Sequence, residues 1–275
     1  MERKKNTNVI ALTDFSAIGI SAVRHAATLA LFFESSLTIY THFSLEKNAV
    51  FRQKNADFDQ LLAEFQNRLS IRVDDTPYQL KAMHALAESA NNIMFVIGVG
   101  CKKNDTYFTV GKALKFIAPS RLPVMTVGVQ PPRDEKWQNV LLPIEIDRAI
   151  KEKSLWAGYF NRFGQSAIHI LHNVYQDRIS KDKLDDSLAF VGKLYKNLEI
   201  NPVEHEITPR ADDLDAYALQ HAADYEASLL VIMTTTHKTW IDVLFGTRER
   251  SFIANAESLP VLCINERDDL FVLCT

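Results

Sequence analysis

A chain that repeats itself at a spacing of about 130 residues folds as a duplicated domain, because that period is far too long for one unit of a solenoid. Asn8-Val9-Ile10-Ala11-Leu12-Thr13-Asp14 opens the first half, and Asn139-Val140-Leu141-Leu142-Pro143-Ile144-Glu145 opens the second. Each is a short apolar run closed by a carboxylate and followed by a helical pattern. The ends of the halves match as well. Phe116-Ile117-Ala118 precedes Leu122-Pro123-Val124-Met125-Thr126-Val127, and Phe252-Ile253-Ala254 precedes Leu259-Pro260-Val261-Leu262-Cys263-Ile264. The offset is 131 residues at the carboxylates and 137 at the prolines. A chain of 275 residues is long enough for two separate cores. The polar joint Gln130-Pro131-Pro132-Arg133-Asp134-Glu135-Lys136 sets a first domain at 1–132 and a second at 137–275.

Within each half, short apolar strands alternate with helical patterns. The first half predicts strands at 9–13, 37–42, 71–73, 94–98 and 124–127, with helices near 17–33, 55–69, 77–91 and 110–118. The second predicts strands at 140–144, 167–172, 203–207, 229–233 and 261–264. This order implies α/β architecture: two tandem domains, each a five-stranded, mainly parallel sheet flanked by helices. Such sheets bind ligands beyond the carboxyl ends of their strands, where the strand order reverses. Asp14 and Gly98 fall at two of those ends.

Charge and cysteine usage exclude several classes. With 31 basic and 34 acidic residues the formal net charge is −3, which gives no electrostatic case for nucleic acid or an anionic membrane as partner. Residues 1–8 are polar, with no signal-peptide pattern. The most apolar stretch, 17–33, carries Arg24 and His25 at helical spacing and is expected to be a buried amphipathic helix. Cys101, Cys263 and Cys274 are odd in number and far apart, as expected of reduced thiols in a cytoplasmic protein. No Gly-x-Ser-x-Gly elbow, Walker lysine motif or Gly-x-Gly-x-x-Gly fingerprint is present. The expectation is a non-catalytic protein, at most a weak ATPase.

Val9-Ile10-Ala11-Leu12-Thr13-Asp14-Phe15-Ser16 resembles the opening strand of the universal stress protein family. Leu37-Thr38-Ile39-Tyr40-Thr41-His42-Phe43 and Ile168-His169-Ile170-Leu171-His172-Asn173-Val174 resemble that family's second strand, and the Leu-Pro-Val segments resemble its last. The resemblance covers nearly the whole chain twice. It implies a Rossmann-like domain of the adenine nucleotide α-hydrolase type and an adenine nucleotide, ATP or AMP, as ligand. Nucleotide-binding members carry G-x2-G-x9-G-[ST] after the fourth strand; its glycines admit phosphate to backbone N–H groups at a helix start. The first half keeps this as Gly98-x2-Cys101-x9-Gly111-Lys112, and the second as Met233-x2-Thr236-x9-Gly246-Thr247. By resemblance, the cofactor-binding residues are Asp14, Phe43, Gly98, Cys101, Gly111 and Lys112 in the first half. In the second they are Glu145, Thr236, Gly246 and Thr247. The first half keeps more of the pattern, so nucleotide binding is expected mainly there.

Bland alternatives stand beside these. The glycines and Asp14 fit ordinary strand-end and turn chemistry, and Gly246-Thr247 fits a helix start. Cys101 is an inert small residue by default, Lys102-Lys103 a solvated surface pair, and Asp212, Asp213 and Asp215 helix-capping carboxylates. His169 and His172 point to opposite faces of a strand and cannot share a metal. Two other functions remain open: an interaction scaffold with degenerate nucleotide sites, and a carrier of an apolar ligand using Trp240, Val243, Leu244 and Phe245. The resemblance implies that the two halves pack as an internal pseudo-dimer through their last strands. The apolar tail 270–275 is a candidate extra edge strand or homodimer contact.

Overall fold

The two halves lay down their strands in the same order. The structure, a computed structural model, describes residues 7–42, 56–74, 78–89, 91–100, 106–133, 136–146, 150–234 and 259–266. In the first half β1 (Asn8–Thr13), β2 (Ser36–Thr41), β3 (Ile71–Asp74), β4 (Asn92–Gly100), the two-residue β5 (Phe108–Thr109) and β6 (Val124–Val127) alternate with α1 (Ala17–Phe32), α2 (Ala56–Phe65), α3 (Leu80–Leu86) and α4 (Val110–Ile117). In the second, β7 (Asn139–Pro143), β8 (Ala167–Asn173), β9 (Val203–Ile207), β10 (Leu229–Thr234) and β11 (Val261–Asn265) alternate with α5 (Lys151–Gly164), α6 (Arg178–Asn197) and α7 (Leu214–Gln220). Strand order is β3-β2-β1-β4-β6 in one half and β9-β8-β7-β10-β11 in the other, all neighbours parallel. Among the described residues one antiparallel ladder joins β6 to β11, with Leu262 opposite Met125. One 11-stranded sheet results, with β5 hanging from the end of β4.

Residue alternation along the strands fills two apolar layers. Val9 and Ala11, Met94 and Val96, Val140 and Leu142, Val231 and Met233, and Leu262 and Ile264 face one layer. Residues of α1, α2, α5 and α6 cover it. Ile10 and Leu12, Phe95 and Ile97, Leu230 and Ile232, and Val261 and Cys263 face the other, closed by residues of α3, α4 and α7. Burial on both faces explains the near-continuous apolar strands. Each layer draws on both halves. On the first, Phe32 of α1 and Phe33, its cap residue, meet Phe160 of α5 with ring centroids 5.4 and 5.3 Å apart.

Side-chain caps start the helices where the sequence supplies them. Ser16, Asp177 and Asp213 accept hydrogen bonds from Gly19, Ser180 and Ala216 at the starts of α1, α6 and α7. Asp215 stands in the first turn of α7, as expected, and is buried near the Cys263 thiol. Together burial, the larger effect, and Asp215 push that thiol up to about 12.

The second half departs from the first at the ends of its central strands. The β1–β4 ladder runs to Leu12–Ile97, whereas β7 pairs with β10 only at Val140–Leu229 and Leu141–Leu230. The Ile144 N–H donates to Leu171 in β8, so the Pro143 carbonyl turns the other way, toward β10. There the ammonium of fully buried Lys153, from α5, donates to it. A buried backbone acceptor left without its ladder thus gains a side-chain donor.

Candidate functional site

Asp14 stands at the carboxyl end of β1, beside β4, where the strand order reverses. Its Oδ1 accepts from the Ser16 N–H at 3.0 Å and the Ser16 hydroxyl at 2.6 Å. Its Oδ2 accepts from the Thr106 hydroxyl at 3.1 Å and from the Tyr107 N–H. The carboxylate therefore ties the end of β1 to the segment leading into α4. Phe15, the next residue, adopts φ 61°, uncommon for a side chain of its size. Its N–H donates to the Thr13 hydroxyl at 3.1 Å, and its ring packs edge-on against Phe58. Gly19, in the first turn of α1, leaves room for the Asp14 carboxylate.

An aromatic group lines the same end of the sheet. His42 follows β2, its N–H donating to the Thr13 carbonyl at 3.0 Å. The His42 and Tyr107 ring centroids are 3.5 Å apart, and the Lys112 ammonium lies 3.9 Å from the Tyr107 ring centre. Tyr107 thus combines a histidine stack with a cation–π contact. Tyr78 is buried, with its ring 5.3 Å from that of His42 and stacked on Phe108. Burial holds the His42 imidazole below its ordinary value, against the opposing pull of Asp14, so the ring is neutral at pH 7.

Gly111 and Lys112 occupy the first turn of α4. The cap residue, Thr109, makes no side-chain capping bond, and a side-chain carbon at Gly111 would meet nothing within 4 Å. Among the described residues, a helix start without a side-chain cap from Thr109, with space at Gly111 and a lysine beside it, suits an anion. Gly98 differs. A side-chain carbon there would lie 2.6 Å from the Ile18 carbonyl oxygen, so packing against α1 alone requires glycine.

In the second half, several described groups at the strand ends bond to one another. Besides the Lys153–Pro143 pair, Asn173 at the end of β8 exchanges two 2.9 Å hydrogen bonds with the Ala211 backbone. The Thr234 hydroxyl, at the end of β10, lies on the Ile264 carbonyl at 3.1 Å and on Asn265 Oδ1. Glu145 is half-buried just past β7. Phe43, Cys101, Thr236, Gly246 and Thr247 lie outside the described residues, as do Lys102, Lys103, the 240–245 segment and the 270–275 tail.

Sequence spacing missed several of these groups. Tyr107 and Phe108 fall inside the unassigned x9 gap of the loop register, and Lys153 looks like any lysine of a helix start. His169 has a partner that spacing hides: His205, two strand positions beyond its cross-strand neighbour Val203. His169 Nδ1 lies 3.0 Å from His205 Nε2, and its Nε2 lies 3.1 Å from Asn139 Oδ1. With centroids 5.3 Å apart the two nitrogens face each other head-on, the geometry of a hydrogen bond, not of two ligands converging on one ion. Among the described residues no three His, Cys, Asp or Glu side chains form a metal set. Nor is any helix among them long and apolar enough to cross a membrane.

No protein-family model matches the sequence, and no curated protein does. Solved structures do match the fold. A universal stress protein of Archaeoglobus fulgidus DSM 4304 superposes with a TM-score of 0.66 at 11% identity, over 95% of this chain and 99% of that one. A functionally unknown protein of Pseudomonas aeruginosa PAO1 gives 0.58 at 12%, over 96% and 94%. A putative universal stress protein of Pseudomonas aeruginosa UCBPP-PA14 gives 0.56 at 12%, over 95% and 94%. The chain has the universal stress protein fold along nearly its whole length.

Proposed function

We propose that this chain is a non-catalytic, cytoplasmic stress-response protein that binds one adenine nucleotide, ATP or AMP, in the first-half crevice. Its second half, from about residue 137, acts as a structural partner. The observation that carries the reading is the start of α4, with Gly111 and Lys112, standing beside Asp14 and an aromatic group. The second half spends several described strand-end polar groups on internal bonds through Lys153, Asn173 and Thr234. Phosphates at the start of α4 would gain from its N–H groups and from the Lys112 charge. The aromatic rings suit a planar base. For the second half, the bonds among its strand-end groups favour the scaffold reading over a second nucleotide site.

Isothermal titration with ATP, ADP and AMP tests this. The expected outcome is binding at one site per chain, with Lys112→Ala weakening ATP by about tenfold, the worth of a charge-assisted contact. Two equivalent sites per chain would refute the division of labour, and no heat with any of the three would refute nucleotide binding.

A further inference from the structure

We propose that the Tyr78 hydroxyl is the specificity-determining group of the first-half crevice, satisfied by a hydrogen-bonding edge of the planar ligand that enters it. The inference rests on the nucleotide reading above and adds to it the group that tells one such ligand from another. Tyr78 is 6% exposed, and its hydroxyl is buried without a hydrogen-bond partner among the described residues. The Tyr78 N–H bonds the Thr41 carbonyl at 3.3 Å, which fixes the residue beyond the end of β2, on the crevice side of the sheet. Rings of His42, Tyr107 and Phe108 surround its own. Burial raises its phenol well above the ordinary value, and the Asp14 carboxylate acts in the same direction. The hydroxyl is therefore a neutral group that can donate and accept, close to the Asp14 carboxylate.

A buried polar atom without a partner costs free energy, and most native structures avoid it. At the switch point of a parallel sheet, the economical explanation is a partner that arrives with the ligand. Tyr107 marks where that ligand's plane goes. Its half-buried ring contacts both the His42 imidazole and the Lys112 ammonium, a surface on which a flat heteroaromatic ring could pack. A base packed there would bring its exocyclic amine or a ribose hydroxyl toward Tyr78. An apolar ring would leave the hydroxyl unpaired and be rejected, as sites built to hydrogen-bond a ligand reject analogues that lack the group.

The test compares wild type with Tyr78→Phe in two measurements. In thermal denaturation without ligand, Tyr78→Phe is expected to raise the Tm by about 2 °C, because it removes an unsatisfied hydroxyl. In titration, AMP affinity is expected to fall by about tenfold. AMP, purine riboside 5′-monophosphate, 2′-deoxy-AMP and 3′-deoxy-AMP then locate the contact. One analogue should be weak on wild type yet bind Tyr78→Phe as tightly as AMP does, since the pair is already broken in both. A lowered Tm, an unchanged AMP affinity, or analogue penalties equal in both proteins would overturn the proposal. Wild type that binds no adenine nucleotide would fail the nucleotide reading and take this proposal with it. Wild type that binds AMP while Tyr78→Phe binds it equally removes this proposal alone.

Discussion

Two glycines of the same loop register have different physical reasons to be glycine. At Gly98 a side chain would strike the backbone of α1, whereas at Gly111 it would enter open space. A motif written as letters merges the two, and only the second leaves room for a ligand to come close. His25 shows the same gap between letter and role. It interrupts the apolar face of α1 but is buried, with Nδ1 at 2.9 Å from the Ser21 carbonyl and the Trp137 ring nearby. Burial, only partly offset by that hydrogen bond, lowers its value from 6.5 to about 4. Below pH 6.5 the unfolded chain takes up a proton that the folded chain refuses until about pH 4. The contribution of His25 is thus complete above pH 6.5 and is lost as pH falls toward 4. The total is roughly 3 kcal/mol. Urea unfolding across that range should show stability falling with pH, and His25→Gln should remove about 1.4 kcal/mol per pH unit from the slope. The histidines that remain, including His42, His84, His169 and His205, shift in the same direction and keep part of it.

At the scale of elements, α4 joins the two halves. Its first turn carries Gly111 and Lys112 toward the first crevice, and its last carbonyls meet a residue of the second half. Asn265, closing β11, donates from Nδ2 to the carbonyls of Ile117 at 2.7 Å, Ser120 at 2.8 Å and Ala118 at 3.3 Å, while its Oδ1 is held by Thr234. These carbonyls belong to the carboxyl end of α4 and the turn that follows it, where a helix leaves acceptors short of donors. Asn265→Asp would set a carboxylate against the negative end of the helix and lose the donors, so it should cost about 2–3 kcal/mol. Asn265→Leu, which only removes the bonds, should cost about 1–2 kcal/mol. Urea denaturation distinguishes them; equal losses would mean that helix polarity plays no part.

Strand periodicity disclosed the strands, though not their order in the sheet, because both faces of the sheet are buried and leave apolar runs. Helix lengths were less legible: the pattern near 77–91 supports only α3 at Leu80–Leu86. The Asn265 latch was invisible because its partners stand some 145 residues earlier in the chain. So was the Tyr107–His42–Lys112 cluster, because His42, just past β2, stands 65 residues before Tyr107 and shares no spacing rule with it. Asp14 was legible because strand-end carboxylates are fixed by topology; its four donors were not.

Over the whole molecule, the two halves share one sheet and two apolar layers. Phe160 sits where they meet on one layer: its ring contacts Phe32 and Phe33 at the end of α1 and, at 6.0 Å, Trp137, which precedes β7. It is fully buried. Truncation to alanine would remove about 3–5 kcal/mol of packing, with the cavity opening between α1 and α5 and not within either half alone. If the halves unfold as one cooperative unit, Phe160→Ala shifts the transition of both together, and the tryptophan signal remains coincident with far-ultraviolet circular dichroism. The β6–β11 ladder favours that outcome. Losing either half would expose an edge of the other's sheet, so partial unfolding uncovers apolar surface from both. The opposite result is equally concrete. Two separated transitions, only one of them moved by Phe160→Ala, would mean that the shared layers add little coupling and that each repeat stands on its own core.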